Sequence, residues 1–269
     1  MTCMAGLALM VACGEKKGDA NAEQQSTEQN AEEQNTENTT EGEAAEAQGD
    51  AKAQLNIVID PQAAEANKAI YAKGDFLPFP GVFFLDDFSA EKVGEFPSKW
   101  TLSNGSAEVA EFEGRKVMKL ENNDAAVAPK VVGESKNYLP QAFTLEFEYY
   151  CNGDEDYNAN FHLWFDTDAG ESELALRTEE NISWSIYKKN DEGMEGNYSK
   201  LAEVEKKNSW NHFALSFVDG TMKIYVNGQR IASLPDVKQP KCLNIKGEGW
   251  EDHRDLLTNV RLTTKAPEK

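Results

Sequence analysis

Short stretches in which apolar and polar residues alternate dominate the chain from Val82 onward. The clearest is "FTLEFEYY", residues 143–150, in which every second side chain is aromatic or aliphatic. The same pattern recurs in "NFHLWFD" (160–166), "ISWSIY" (182–187), "HFALSF" (212–217) and "MKIYV" (222–226). Because successive side chains of a strand point to opposite faces of a sheet, this period of two predicts β-strands with one buried face.

Turn signals separate several of these stretches. Asp219-Gly220 and Asn227-Gly228 are dipeptides that favour the tight turns of β-hairpins. Many short strands, without a regular alternation of strand and helix, are typical of an all-β domain. Since each strand has one apolar face, two antiparallel sheets packed face to face bury all of them. We therefore predict a two-sheet β-sandwich over residues 82–265.

A short strand and a helix are predicted in the lead-in to this domain, residues 54–81. The apolar piece Leu55–Ile59 is followed by a segment with helix signals. Asp60 is suited to the N-cap, Pro61 to the first turn, and Gly74 to the end of the helix.

Charge and composition set the N-terminal region apart from the rest. The 269-residue chain has a net charge of −20, and residues 14–52 contain eleven acidic residues against three lysines, a net charge of 3 − 11 = −8. No aromatic residue precedes Tyr71. A segment of this kind buries too little apolar surface to offset its conformational entropy, so residues 13–53 are predicted to form a disordered tether. The acidity also argues against nucleic acid as a partner, because phosphate binding needs lysine and arginine.

Residues 1–12 form an apolar run that is too short to span a bilayer and suits a signal peptide. Met10-Val11-Ala12-Cys13 resembles a bacterial lipobox, which implies that Cys13 is lipidated and that the protein meets the membrane only through it. Gly14 after the cysteine favours, by resemblance to Gram-negative sorting rules, the outer membrane. The predicted location is therefore the cell envelope. A secretory signal cleaved nearby is the alternative.

The C-terminal hairpin resembles a known family. "WNHFALSFVDGTMKIYVNGQRI", residues 210–231, is similar to the signature of laminin G-like domains in the concanavalin A-like lectin/glucanase superfamily. "LTNVRLT", residues 257–263, is similar to their last strand, and the likeness extends over about residues 76–264. The resemblance implies a jelly-roll sandwich. Because the superfamily includes lectins, hydrolases and adhesion modules, it implies a glycan or an envelope protein as partner without choosing a function.

A non-catalytic binding face is the main functional prediction. Sugar sites combine an aromatic platform with a few oriented polar groups, and residues opposite the predicted core supply both. The candidate binding residues are Trp164, His162, Glu146, Glu148, Arg177, Tyr187 and Tyr225. The alternative is a purely architectural domain, since aromatic residues are enriched in strands for packing reasons alone.

Glu146 and Glu148 also allow a hydrolase as an alternative. At ~3.3 Å per residue they lie about 6.6 Å apart along a strand, and retaining glycosidases need roughly 5–5.5 Å between two carboxyl groups. Hydrolases of the resembling superfamily, however, continue with a further glutamate on the same strand. Tyr150 and Cys151 stand in its place here.

No cofactor is predicted, with calcium as a weak alternative. Asp154, Asp156 and Asn158 alternate in an oxygen-rich loop of the kind that suits Ca²⁺. Cys151 and Cys242 remain after the N-terminal cysteines are assigned, and the sequence leaves open whether they form a disulfide or stay as two buried thiols.

Overall fold

The alternating stretches form strands in a computed structural model of the chain. It describes residues 54–59, 76–131, 136–151, 160–168, 170–177, 181–188, 191–193, 199–200, 203–247 and 255–266. The predicted signal peptide, the tether and the helix expected after Asp60 lie outside the described residues.

The described part contains fifteen strands and no helix. None of its segments is therefore a helix long and apolar enough to cross a membrane. The strands are β1 (Val58–Ile59), β2 (Gly81–Asp86), β3 (Trp100–Phe112), β4 (Arg115–Pro129), β5 (Ala142–Cys151), β6 (Asn160–Thr167), β7 (Gly170–Arg177), β8 (Asn181–Lys188), β9 (Asp191–Gly193), β10 (Ser199–Lys200), β11 (Ser209–Val218), β12 (Thr221–Val226), β13 (Gln229–Leu234), β14 (Cys242–Gly247) and β15 (Asp255–Thr264).

Antiparallel pairing joins these strands into one sheet of order β10-β8-β7-β6-β14-β4-β15-β5-β11-β12-β13. At its sides β1 pairs with β2, β2 with β15, β3 with β4, and β9 with β8. The long strand β4 pairs with β15 through residues 118–120 and with β14 through residues 126–127. It therefore connects two arms. The first arm consists of β6, β7, β8 and β14, and the second arm of β5, β11, β12 and β13.

The two arms face each other across a common core. The rings of Phe147 on β5 and Phe161 on β6 lie 6.0 Å apart, although three strands separate β5 from β6 in the sheet. The sheet is therefore curled into two layers, and the predicted all-β jelly-roll sandwich is confirmed. Burial of each Phe, Leu or Ile side chain in this core contributes about 1.5–3 kcal/mol. Fully buried core residues from the two arms include Phe143, Leu145, Phe213, Leu215, Phe217, Ile224, Leu163, Phe165, Leu174 and Ile245.

Both predicted hairpin turns have the backbone that their residues favour. Asp219 and Gly220 have φ values of 48° and 76°, and Asn227 and Gly228 have 50° and 77°. Positive φ at both central residues matches the twist of the flanking strands, and Asn, Asp and Gly adopt it at the lowest cost. The Asn227 side chain stabilises its turn further, because its amide donates to Val204 O and to Asn211 Oδ1.

Other segments of the chain cover part of the second arm's face that is opposite the core. Phe76 packs against Tyr225, with ring centroids 5.1 Å apart. At the opposite end, Phe112 beside the β3–β4 turn contacts the rings of Tyr150 and Trp210. The prediction that the residues opposite the core form an outer surface is therefore wrong for this part of the second arm, because segments distant in sequence pack on it.

Candidate functional site

The predicted binding residues are divided between the two arms. His162 and Trp164 lie on β6, Arg177 on β7, Tyr187 on β8, Glu146 and Glu148 on β5, and Tyr225 on β12. The side chains of Arg177 and Tyr187 lie outside the described part, but the backbone register pairs Tyr187 with Glu171 of β7. The five residues whose side chains are described are not brought together in one place. Their roles in binding stay predictions.

On the second arm, burial separates two predicted residues from any surface ligand. Tyr225 is 1% exposed beneath Phe76. Glu146 is 4% exposed, and its Oε1 atom lies 3.4 Å from Nε2 of His212. Neither side chain is open to a ligand in this arrangement.

The third predicted residue of the second arm, Glu148, is half-buried and already paired. Its carboxylate accepts hydrogen bonds from the Arg115 guanidinium and from the Asn259 amide. Arg115 in turn lies over the Trp210 ring, 4.6 Å from its centroid. An acid and a nucleophile must both reach the sugar. Burial of Glu146 and the partners of Glu148 therefore give no support to the predicted alternative catalytic pair.

Two adjoining pockets that share Ser103, Asp166 and Asn244 lie across β6, β14, β4 and β3 beside the first arm, and together we call them the groove. Its floor is low because Ala126 and Ala128 alternate on the outward side of β4, while Val127 points into the core. Trp164 of β6 stands on one side of this floor, and residues 101–103 of β3 stand on the other. The groove is formed because the large side chain of Trp164 lies beside the small side chains of Ala126 and Ala128.

The first half of the groove, which we call the Trp164 half, has a volume of about 380 Å³. The register places Asn244 of β14 directly opposite Trp164, and Glu171 of β7 directly opposite Asp166. The half-buried indole thus lines this half together with an amide and two carboxylates. The residues that line this half are Ser103, Ala126, Trp164, Asp166, Glu171, Asn244 and Lys246.

The second half, which we call the Tyr138 half, has a volume of about 370 Å³ and shares Ser103, Asp166 and Asn244 with the first. Tyr138 is held firmly, because its hydroxyl donates to Leu243 O at 3.1 Å and accepts from Leu243 N at 2.9 Å. The remaining lining residues are Thr101, Leu102, Ala128, Pro129, Lys136, Tyr138, Cys242 and Leu243.

Two titratable groups of the Tyr138 half are kept neutral. Burial raises the pKa of the Cys242 thiol to about 12, and the hydrogen bond that this thiol donates to Asp166 Oδ2 at 3.1 Å acts in the same direction. Burial also raises the pKa of Tyr138 well above its usual value. Cys242 therefore stays protonated at neutral pH and donates to the Asp166 carboxylate, whereas the nucleophilic form of cysteine is the thiolate.

His162, a predicted binding residue, lies close to the groove but beneath its surface. It is 5% exposed, and its Nδ1 atom is bonded to the carboxylate of Glu173, which is itself buried. Since Glu173 is directly opposite Trp164 in the sheet, this pair supports the indole from the adjacent strand. His162 does not line either half of the groove, and its role in binding stays a prediction.

Sequence reasoning missed most of the polar groove. Asn244 and Lys246 are the outward residues of "CLNIKG", which alternates as β14 but was not among the predicted strands. The residue types of Ser103, Ala126 and Ala128 do not by themselves indicate a binding site. Among the predicted binding residues whose side chains the structure describes, only Trp164 lines the groove.

Two further predictions concern a calcium site and the cysteines Cys151 and Cys242. Asp154, Asp156 and Asn158 lie outside the described residues, and within the described part no group of three or more His, Cys, Asp or Glu residues is placed to hold a metal ion. Cys151 and Cys242 are both buried and are not joined by a disulfide in this structure.

Comparison with known proteins agrees with this fold. Residues 121–249 match the family model described as Concanavalin A-like lectin/glucanases superfamily, Laminin_G_3, so the predicted resemblance is confirmed. No curated protein sequence matches the chain.

Solved structures are similar in fold at low sequence identity. The carbohydrate recognition domain of Emp47p is 12% identical with a TM-score of 0.50, and the alignment covers 68% of this chain and 95% of that one. The metal-free carbohydrate recognition domain of Emp46p is 14% identical with a TM-score of 0.49, covering 69% and 97%. The carbohydrate binding module CBM66 from Bacillus subtilis is 15% identical with a TM-score of 0.44, covering 62% and 96%. At these identities the likeness shows the fold alone.

Proposed function

We propose that this protein is a lipid-anchored cell-envelope protein whose sandwich domain binds a glycan in the groove beside Trp164, without catalysis. The observation that carries the proposal is the position of a half-buried indole in a groove lined by amide, carboxylate, ammonium and hydroxyl groups. A sugar ring has an apolar face that packs on an aromatic ring and hydroxyl edges that need hydrogen-bond partners. The Trp164 half offers both on adjacent strands.

Rigid placement of these groups favours binding. Asp166 is oriented by the Cys242 thiol, and its backbone carbonyl accepts from Lys241 N at 2.8 Å. Trp164 is flanked on its two neighbouring strands by Glu173 and Asn244. Groups that are fixed before a ligand arrives lose little conformational entropy on binding.

A glycan array probed with the full-length protein in detergent tests the proposal. Replacement Trp164→Ala should weaken binding of every recognised glycan by at least about tenfold, as expected for an aromatic residue at the centre of a site. Trp164→Phe keeps a ring and should retain part of the affinity.

Leu85→Ala is the matched control, because it also shortens an exposed apolar side chain, on β2 outside the groove. Its binding should equal that of the unmodified protein. Equal binding by Trp164→Ala, with unchanged thermal melting, would contradict the assignment of the groove. Absence of any bound glycan would contradict glycan binding itself.

Glycoside hydrolysis is a second candidate, favoured by one observation. Asp166 and Glu171 are directly paired across β6 and β7 in the groove, and Cα atoms of such pairs lie about 4.5–5.5 Å apart. Directly opposed side chains share one face of the sheet, so these two carboxyl groups could approach the roughly 5–5.5 Å that retaining glycosidases need. Release of reducing ends from a bound polysaccharide, lost in Asp166→Asn, would favour hydrolysis over binding alone.

The lipid anchor is supported by the sequence of residues 1–14. A diacylglycerol on Cys13 supplies the two acyl chains that stable anchoring requires, and residues 14–52 would hold the domain away from the membrane. We expect Cys13→Ser to move the protein from the membrane fraction to the soluble fraction. Unchanged fractionation would contradict the anchor and leave the glycan proposal intact.

A further inference from the structure

We infer that the Tyr138 half of the groove receives an acetyl group carried by the glycan. The inference rests on the proposed function and adds the chemical class of the ligand. An N-acetyl and an O-acetyl group share the features that the cavity would recognise, a methyl next to a carbonyl, and the experiment below separates the two.

The wall of the Tyr138 half is largely apolar. Leu102, Pro129 and Ala128 contribute aliphatic surface, and Leu102 remains 42% exposed at the rim. Tyr138 adds only a small part of its ring, because it is 3% exposed and its hydroxyl is engaged with both the carbonyl and the amide of Leu243. Against these aliphatic side chains a sugar hydroxyl would lose water without gaining a partner, although Thr101, Lys136 and Asp166 also line this half. A methyl group gains from the same surroundings.

Polar groups stand at the boundary between the two halves. Ser103, Asn244 and Asp166 line both, and Ser103 Oγ donates to Ala126 O at 3.0 Å, which leaves its lone pairs to accept. The Asn244 side chain carries a donor and an acceptor. An acyl substituent has its carbonyl one bond from its methyl. It can therefore place the carbonyl at this boundary and the methyl against the apolar wall.

The volumes of the two halves also suit the sugar ring that carries the acetyl group. Each half has a volume of about 370–380 Å³, within the range of small-ligand sites. A sugar stacked on Trp164 would direct a substituent, or the acetylated neighbouring ring, across Asn244 into the Tyr138 half. The two halves are therefore expected to act together on an oligosaccharide.

Two alanines of β4 provide a matched pair of variants. Ala128 lines only the Tyr138 half, and Ala126 lines only the Trp164 half. Both lie on the outward face of the same strand, two residues apart, and both are half-buried. Leucine at either position adds the same volume to one half of the groove.

The experiment measures binding of the full-length protein to an array of matched glycans. The probes are diacetylchitobiose with its de-N-acetylated form, and acetylated xylo-oligosaccharides with their de-O-acetylated forms, printed beside a broad glycan set. We expect the acetylated member of at least one pair to bind at least about fourfold more tightly, which corresponds to one buried methyl at ~0.8 kcal/mol. The pair that responds identifies the N- or O-linkage.

The variants then locate the preference. Ala128→Leu should abolish the acetyl advantage, whereas Ala126→Leu should weaken both members of a pair alike. Ala128→Val, a smaller addition, should reduce the advantage if the leucine variant does not fold, as judged by thermal melting. An acetyl preference that survives in Ala128→Leu overturns the inference.

The two proposals fail in different ways. Glycans that bind through Trp164 without any difference between acetylated and de-acetylated forms would overturn the acetyl inference and leave glycan binding intact. No bound glycan in the whole array would overturn both.

Discussion

Alkaline pH should destabilise the domain through a thiol in the groove wall. Burial, together with the hydrogen bond to Asp166, raises the pKa of Cys242 from 9.0 to about 12. Between these values the native protein retains the thiol proton, and the unfolded chain releases it. The unfolded state then binds fewer protons, so the free energy of unfolding falls as pH rises. The contribution is complete below pH 9 and is lost by about pH 12.

The size of the effect follows from the width of this window. Each pH unit above 9 removes about 1.4 kcal/mol for a fully shielded group, so a rise to about pH 10.5 would remove ~2 kcal/mol. Because Cys242 lines a cavity that is open to solvent, solvent screening makes this loss smaller. We expect the free energy of unfolding to fall by about 1 kcal/mol between pH 9 and 10.5. Tyr138 and Tyr149 act in the same direction above pH 10, since burial raises the pKa of both.

Urea unfolding of the full-length protein from pH 8 to 10.5 checks this prediction, with Cys242→Ser as the control. The serine hydroxyl retains a donor toward Asp166 and does not ionise in this range. The variant should lose about 1 kcal/mol less than the unmodified protein between pH 9 and 10.5. Parallel loss in the two proteins would refute the argument from the buried thiol, whatever their absolute stabilities.

Two further predictions concern stability. Asp86, which is buried, accepts from Trp100 Nε1 at 2.8 Å and from Phe88 N at 3.2 Å, so Asp86→Ala takes the acceptor from two donors and should cost about 2–4 kcal/mol in urea unfolding. Asp86→Asn keeps one acceptor oxygen and should cost less; an equal loss, or an alanine loss below about 1 kcal/mol, would contradict this reason. Gly105 has φ +67°, and a Cβ atom there would lie 2.6 Å from the backbone Cα of Ala125. Gly105→Ala should therefore cost several times more than Gly94→Ala, where φ is +83° but nothing lies within 4 Å, and equal thermal melting shifts would contradict this.

The layered fold was predictable because strand period and turn chemistry are local properties. Phe143, Leu145 and Phe147 are buried in the core as their alternation predicts. The Asp219-Gly220 and Asn227-Gly228 turns adopt the positive φ values that their residue types favour. Neither property depends on which distant strands become neighbours.

The candidate site was less predictable because alternation assigns residues to a face and does not say what covers that face. Tyr225 and Glu146 share the face opposite the core, as predicted, yet both are buried. Phe76, about 150 residues before Tyr225 in the chain, packs on the tyrosine. Such contacts between distant segments follow from the tertiary fold, and no pattern within β5 or β12 contains them.

The groove depends on missing side-chain volume at positions that only the sheet register brings together. Ala126 lies opposite Lys246, 120 residues later in the chain, and Trp164 lies opposite Asn244. A shift of β14 by one residue would turn Leu243 and Ile245 outward and move Asn244 and Lys246 into the core. The apolar partners Val127 and Leu163 oppose such a shift, because both pair with Ile245 in the observed register. The core residues of β14 therefore fix the position of the groove residues beside them, and a polar site is held in place by packing on the other side of the sheet.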